Sequence, residues 1–131
     1  MRLLVTEHNL GKFAAYYIYK RIKAAEPNAS KPFVLGLPTG STPLSMYKEL
    51  IKLHQQKLIS FKHVITFNMD EYVGLPEEHP QSYHHYMYHN FFSHVDIKPA
   101  NVNILNGNAT YLDYECKVFE KKIADLGALI Y

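Results

Sequence analysis

The chain has 131 residues and a net charge of +2, with hydrophobic residues at 47% and charged residues at 20%. This length fits one domain with a substantial core, and the composition is ordinary for a globular protein. The 14 Lys and Arg residues are spread along the chain, which argues against a dedicated nucleic-acid surface.

Two features of the sequence bear on its compartment. The N-terminal residues MRLLVTEHN lack the basic region and long apolar stretch of a signal peptide, and no run reaches the roughly 18 apolar residues of a membrane span. Cys116 is the only cysteine, so no disulfide can form within the chain, which favours a reducing compartment. We therefore expect a cytoplasmic protein without a membrane partner.

The first half of the chain alternates apolar runs with helical patterns. Residues 2–6 predict a short strand, and apolar residues at helical spacing predict a helix from Leu10 to about Ala25. The bounded run Phe33–Leu37 predicts a strand buried on both faces. A second helix is predicted from Pro43 to about Gln56, with Thr42 as its N-cap.

The second half continues the alternation. Val64–Phe67 predicts another strand, and a polar segment leads to a helix predicted from Ser82 to Phe92. Asn101–Leu105 predicts a further strand. A last helix is predicted from Leu112 to Leu126, closed by Gly127.

This order of elements predicts an α/β fold with a mostly parallel sheet. The expected architecture is a Rossmann-like, three-layer α/β/α arrangement. Residues Ala128–Tyr131 resemble the opening of another strand, so we expect the sheet to be incomplete in this chain. An incomplete sheet exposes apolar edge and face, which favours association or poor solubility.

Two polar segments follow predicted strands, at the sheet edge where ligands bind in such folds. The first, Pro38–Pro43 (PTGSTP), joins a strand to a helix. Gly40 allows a ligand to approach the main chain closely, and the helix N-terminus presents unpaired N–H groups that suit a phosphate. The segment has neither the Lys of a Walker motif nor a GxGxxG pattern. It is either a phosphate site or an ordinary turn in which Thr42 caps its own helix.

The second segment, FNMDEY (67–72), places two carboxylates directly after a buried strand. Asp70 is therefore expected at the carboxyl edge of the sheet, level with the first segment. A carboxylate at that place can remove a proton from carbon. The alternative is a solvated cap or turn, the usual role of an Asp-Glu pair in an exposed loop.

Two long stretches, LGLPTGSTP (35–43) and SFKHVITFNMDEYVGLPEEHPQSYH (60–84), closely resemble glucosamine-6-phosphate deaminases. The similarity continues through NFFSHVDI (90–97) and NILNGNA (103–109). FNMDEYVGLP is specific to that family, whereas LPTGSTP is shared with related sugar-phosphate isomerases and lactonases.

The resemblance implies an enzyme that converts glucosamine 6-phosphate to fructose 6-phosphate and ammonia without a cofactor. Ring opening would be followed by an aldose–ketose isomerisation and loss of the C2 amine. Asp70 would be the general base for the C2 proton, and Glu71 and Tyr83 are candidates for positions near the substrate. The residues that would hold the substrate's phosphate are Thr39, Gly40, Ser41 and Thr42.

The same resemblance implies partners and an extent for the domain. Family members are typically homohexamers, often activated by N-acetylglucosamine 6-phosphate, so the expected partners are a sugar phosphate and further copies of the chain. The family's ring-opening groups belong to a GGxGxDGHIAFNEP segment that would begin after Tyr131. We therefore expect residues 1–131 to be the N-terminal part of one sugar-phosphate domain, without a second domain, and inactive alone.

The chain departs from the family pattern at three positions outside the two site segments. Gln81 stands where the family commonly has Glu, and Tyr88-His89 stand where it commonly has Trp-Asn. These departures leave the two site segments intact.

Five of the eight histidines lie in one stretch of the sequence: His79, His84, His85, His89 and His94. In a helix His85 and His89 would lie at i and i+4, a spacing that zinc ligands use. The stretch has no HExxH motif and no nearby cysteine. We therefore expect packing or surface roles and no metal site.

Two other functions remain open on the sequence. A different sugar-phosphate isomerase or lactonase would share the fold and the first segment. A non-catalytic sugar-phosphate binding module would keep the first segment without needing Asp70. A panel of phosphorylated sugars separates the enzymes from one another.

Overall fold

The computed structural model describes residues 10–127, in which helices and strands alternate. The elements are α1 (Leu10–Ala25), β1 (Phe33–Gly36), α2 (Leu44–Gln55), β2 (Val64–Asn68), α3 (Tyr83–Asn90), β3 (Val102–Ile104) and α4 (Leu112–Leu126). Two short 3-10 turns, Phe92–His94 and Pro99–Asn101, lie between α3 and β3. Every element predicted between residues 10 and 127 is confirmed. The strands predicted at 2–6 and 128–131 lie outside the described residues.

The three strands form a parallel sheet in the order β1-β2-β3. Phe33 pairs with Val64 at one end of β1, and Gly36 pairs with Phe67 at the other. All four residues of β1 are buried, as its uninterrupted apolar run predicts. The predicted α/β fold with a parallel sheet is confirmed.

Helices cover both faces of the sheet. Residues from α1, α2 and α3 pack with Phe33, Leu35 and Val64 in the larger hydrophobic core. On the opposite face, Phe119 of α4 packs with Phe67 and Val34, and the Phe67 and Phe119 rings meet edge to face at 5.3 Å. These contacts establish the expected three-layer α/β/α arrangement. Among the described residues, none of the helices has both the length and the apolar character that crossing a membrane demands.

Helix α3 ends earlier than the sequence predicts, at Asn90 instead of Phe92. Phe91 leaves the helical conformation, with φ −146° and ψ −65°, and its side chain is fully buried. Its ring lies 5.1 Å from the ring of Tyr47 and 5.2 Å from that of Phe61. Burial of this aromatic cluster therefore ends the helix where local spacing would have continued it.

The predicted N-cap of α2 is wrong. Pro43 occupies the cap position with φ −81° and ψ 0°, and no side chain caps the helix there. Thr42 is exposed, and the chain enters the helix through a turn in which Leu44 N–H donates to the Ser41 carbonyl at 3.4 Å. The helix begins one residue later than predicted, which leaves the Thr42 hydroxyl outside the cap.

Helix α3 has the side-chain cap that α2 lacks. The Ser82 hydroxyl accepts a hydrogen bond from His85 N–H at 3.0 Å and donates to the Glu77 carbonyl at 2.5 Å. Ser82 is 1% exposed, so both bonds are shielded from water.

We expect Ser82→Ala to lower the free energy of unfolding by about 1–2 kcal/mol, because it removes a buried N-cap. Thr42→Ala is the matched control and should change it by less than about 0.5 kcal/mol, as an exposed residue outside any cap. Urea unfolding followed by circular dichroism measures both. Equal losses in the two variants would contradict the cap assignment.

Candidate functional site

The carboxyl ends of β1 and β2 lie side by side at one edge of the sheet. Leu37 N–H donates to the Phe67 carbonyl at 2.9 Å, and the Asn68 side-chain amide donates to the Leu37 carbonyl at 2.8 Å. An open cleft of about 370 Å³ lies at this edge, lined by Gly36, Leu37, Pro38, Phe67, Met69 and Asp70. The two segments singled out in the sequence therefore border one cleft.

The first segment presents its N–H groups on an open backbone. Gly40 has φ +100°, which favours glycine, although a Cβ there would meet nothing within 4 Å. Gly40, Ser41 and Thr42 are exposed, while Thr39 is half-buried. Within residues 10–127, no acceptor takes a hydrogen bond from the N–H groups of residues 39–42. This backbone has the donors that an anion requires.

The carbonyl side of the same segment is held by two tyrosines. The Tyr47 hydroxyl donates to the Pro38 carbonyl, and the Tyr86 hydroxyl donates to the Gly40 carbonyl. Burial raises the pKa of both phenols, and the neighbouring Tyr86 phenol raises that of Tyr47 further. Because an ordinary tyrosine pKa is already about 10, both hydroxyls are protonated donors at neutral pH.

The sequence predictions include neither of these hydroxyl contacts. The one available signal was chemical, because a buried tyrosine hydroxyl needs a partner. Nothing in the sequence shows that the partner of Tyr86 lies 46 positions away.

Tyr83 packs against Tyr72, which belongs to the second segment. The Tyr83 hydroxyl lies 3.4 Å from the Tyr72 hydroxyl, and their rings lie 4.9 Å apart. The pKa of Tyr83 is raised, chiefly by its hydrogen bond with Tyr72. The charge of Asp70 raises this pKa further, whereas Thr39 lowers it. Tyr83 therefore joins the start of α3 to the second segment through its contact with Tyr72.

Glu71 is engaged by the backbone at the start of α3. Its Oε1 accepts from Tyr83 N–H at 2.8 Å and from Tyr72 N–H at 2.9 Å, and its Oε2 accepts from His84 N–H at 2.9 Å. A carboxylate at a helix N-terminus satisfies unpaired donors and complements the helix dipole. The side chain beside Asp70 therefore anchors α3, whereas Asp70 itself is exposed.

The loop after β3 contacts Tyr72 of the second segment and the residues that follow it. Gly107 approaches Tyr72 so closely that an added Cβ would lie 1.9 Å from the Tyr72 carbonyl oxygen. Gly74 N–H donates to the Gly107 carbonyl at 3.0 Å, and the Asn108 side-chain amide donates to the Leu75 carbonyl at 2.8 Å. The loop after β3 thereby fixes the path of the chain that follows Asp70.

The histidines on α3 make ring-stacking contacts, and His94 just after the helix makes a polar contact. The His84 ring stacks on Tyr88 at 4.8 Å, and the His85 and His89 rings stack at 5.6 Å. His94 Nε2 lies 2.9 Å from the His89 carbonyl oxygen. In the part of the chain that the structure describes, no three His, Cys, Asp or Glu side chains gather closely enough to hold a metal ion.

Comparison with known proteins agrees with the resemblance seen in FNMDEYVGLP. The chain is 60% identical over 131 residues to the glucosamine-6-phosphate deaminase of Parabacteroides distasonis, which covers 98% of this chain and 48% of that protein. It is 59% identical to the deaminase of Histophilus somni, covering 98% of this chain and 49% of that protein. The chain therefore spans about half the length of these relatives.

The fold also matches solved structures. A monomeric glucosamine-6-phosphate deaminase superposes with a TM-score of 0.87 at 41% identity, over 96% of this chain and 50% of that one. The family model described as glucosamine-6-phosphate isomerases/6-phosphogluconolactonase matches residues 6–129. With nearly its whole length matched, the chain belongs to the family of glucosamine-6-phosphate isomerases and 6-phosphogluconolactonases.

Proposed function

We propose that this chain supplies the phosphate grip and the general base of a glucosamine-6-phosphate deaminase. The observation that carries the proposal is that both segments border one cleft at the carboxyl edge of the sheet, where Pro38 and Asp70 both line it. The high identity to two deaminases supports the substrate. The 6-phosphogluconolactonase of Thermotoga maritima matches at 19% identity, a likeness in fold alone.

The phosphate of the substrate would bind the free N–H groups of residues 39–42, with the Thr39, Ser41 and Thr42 hydroxyls as further donors. The start of α2 supports this placement, since the positive end of the helix dipole attracts an anion. Thr42 is free for this role because Pro43, and not Thr42, occupies the cap position.

The carboxylate of Asp70 would remove the C2 proton from the open-chain sugar. The electron pair of the broken C–H bond becomes part of a C1–C2 double bond while the C1 carbonyl oxygen gains a proton. Return of a proton to C1 leaves an imine at C2, which water hydrolyses to the ketone and ammonia. Asp70 can reach a bound sugar because it is exposed at the cleft.

Glu71 and Tyr83 would act near the substrate in different ways. Glu71 is a positioning residue, because its carboxylate is occupied by three N–H groups and holds the backbone beside Asp70. Tyr83 would border the sugar between the base and the phosphate loop. We further propose that residues 1–131 form the N-terminal part of one domain, and that the enzyme works in the cytoplasm. The oligomer implied by the resemblance stays a prediction.

Gly40→Ala should weaken phosphate binding about tenfold or more, because the left-handed backbone that aims the N–H groups is lost together with hydrogen bonds to a charged ligand. Gly127→Ala is the control, since Gly127 also has a positive φ (93°) and open space around it. Both variants should lose about 1–2 kcal/mol of stability. Titration of the chain with inorganic phosphate, followed by calorimetry, should separate them; equal affinities would count against the phosphate loop.

Asp70→Asn should lower kcat by about 10²–10⁴-fold, the usual contribution of a general base. The measurement uses a chimera in which this chain replaces the matching half of the Parabacteroides distasonis deaminase. Ammonia release from glucosamine 6-phosphate is followed with a coupled assay. The control is Asp125→Asn, which alters an exposed carboxylate near the end of α4.

Three outcomes, two with the chimera and one with the 131-residue chain alone, would decide the proposal. Unchanged kcat in Asp70→Asn would remove Asp70 as the base. Hydrolysis of 6-phosphogluconolactone in place of ammonia release would assign the chain to the lactonase branch of the family. Ammonia release by the 131-residue chain alone, at the rate of the chimera, would contradict its assignment as part of a domain.

A further inference from the structure

Three different elements donate hydrogen bonds to carbonyls of the proposed phosphate segment (Pro38–Pro43) and of Leu37 just before it. Asn68 of β2 donates to the Leu37 carbonyl at 2.8 Å. Tyr47 of α2 and Tyr86 of α3 donate through their hydroxyls to the Pro38 and Gly40 carbonyls. These three carbonyls therefore have side-chain donors, whereas the N–H groups of residues 39–42 have no acceptor among the described residues.

The two tyrosines do more than hold the loop in place, because peptide units are planar. In a trans peptide, the carbonyl of one residue and the N–H of the next lie in one plane and point in opposite directions. When Tyr86 fixes the Gly40 carbonyl, it also fixes the direction of the Ser41 N–H. Tyr47 fixes the Thr39 N–H in the same way through the Pro38 carbonyl.

The surroundings make these tyrosines rigid supports. Tyr47 is fully buried, and its ring lies 5.1 Å from Phe91 and 6.5 Å from Tyr86. Tyr86 lies one turn into α3, whose first N–H groups are held by Glu71. The loop is therefore supported by the same helix that Glu71, next to Asp70, anchors.

We propose that Tyr47 and Tyr86 are positioning residues that aim the Thr39 and Ser41 N–H groups at the substrate's phosphate. The inference rests on the proposed function, since it needs a phosphate at this loop. It adds two residues that neither contact the reacting carbon nor belong to the loop. Tyr86 also links the loop to α3, so the phosphate grip and the base segment share one support.

The test is a titration of the ¹⁵N-labelled 131-residue chain with inorganic phosphate, followed through backbone amide shifts. Wild type should show saturable shifts at Thr39 and Ser41. Tyr86→Phe should weaken binding about 2- to 10-fold, the worth of one hydrogen bond, and should reduce the shift at Ser41 most. Tyr47→Phe should have the same effect centred on Thr39. Both variants keep the ring, so the aromatic packing of the core is retained.

Tyr88→Phe is the matched control. Tyr88 lies on the same helix, where its ring packs on His84 and Phe92, away from the carbonyls of the loop. It should bind phosphate with wild-type affinity, and thermal unfolding checks that all three variants are folded.

The outcomes separate this inference from the proposed function. Wild-type affinity and wild-type Ser41 and Thr39 shifts in both tyrosine variants would overturn the positioning role and leave the phosphate site standing. Absence of any phosphate-induced shift in the wild-type loop would overturn the phosphate site and the positioning role together. An equal loss of affinity in Tyr88→Phe would show a general effect of the helix and would also overturn the inference.

Discussion

The site depends on the parallel pairing of β1 with β2. This pairing brings the carboxyl ends of two strands to the same edge, although the residues that meet there, Leu37 and Asn68, are 31 positions apart. Each strand is buried by helices on both faces, so its register is fixed by packing as well as by the hydrogen-bond ladder. The segment Pro38–Pro43 and the segment that contains Asp70 therefore leave the sheet from adjacent positions.

Helix α3 joins these two segments mechanically. Its N-terminus is held by the Glu71 carboxylate and by the Ser82 hydroxyl, which together pair its first three N–H groups. One turn further, Tyr86 reaches the Gly40 carbonyl. A short helix of eight residues has little stability of its own, so these caps and the burial of Met87 and Phe91 hold it.

The polar groups at this edge are unequally satisfied. The carbonyls of Leu37, Pro38 and Gly40 have side-chain partners, whereas the N–H groups of residues 39–42 have no partner among the described residues. The Oδ1 of Asn68 and the hydroxyl of Thr66 are buried and likewise have no partner within residues 10–127. Buried polar groups are normally paired, so these two atoms are exceptions within the described part of the chain.

The order and type of the elements could be predicted from the sequence, because apolar runs and helical spacing are local patterns that reflect burial. The segment Pro38–Pro43 and Asp70 could also be singled out, since both follow directly on buried strands, and FNMDEYVGLP indicated the family. Tertiary packing decided that Phe91 ends α3 and that Glu71 caps a helix. It also decided which carbonyls Tyr47 and Tyr86 bind. These features depend on contacts between residues distant in the chain, which no local pattern specifies.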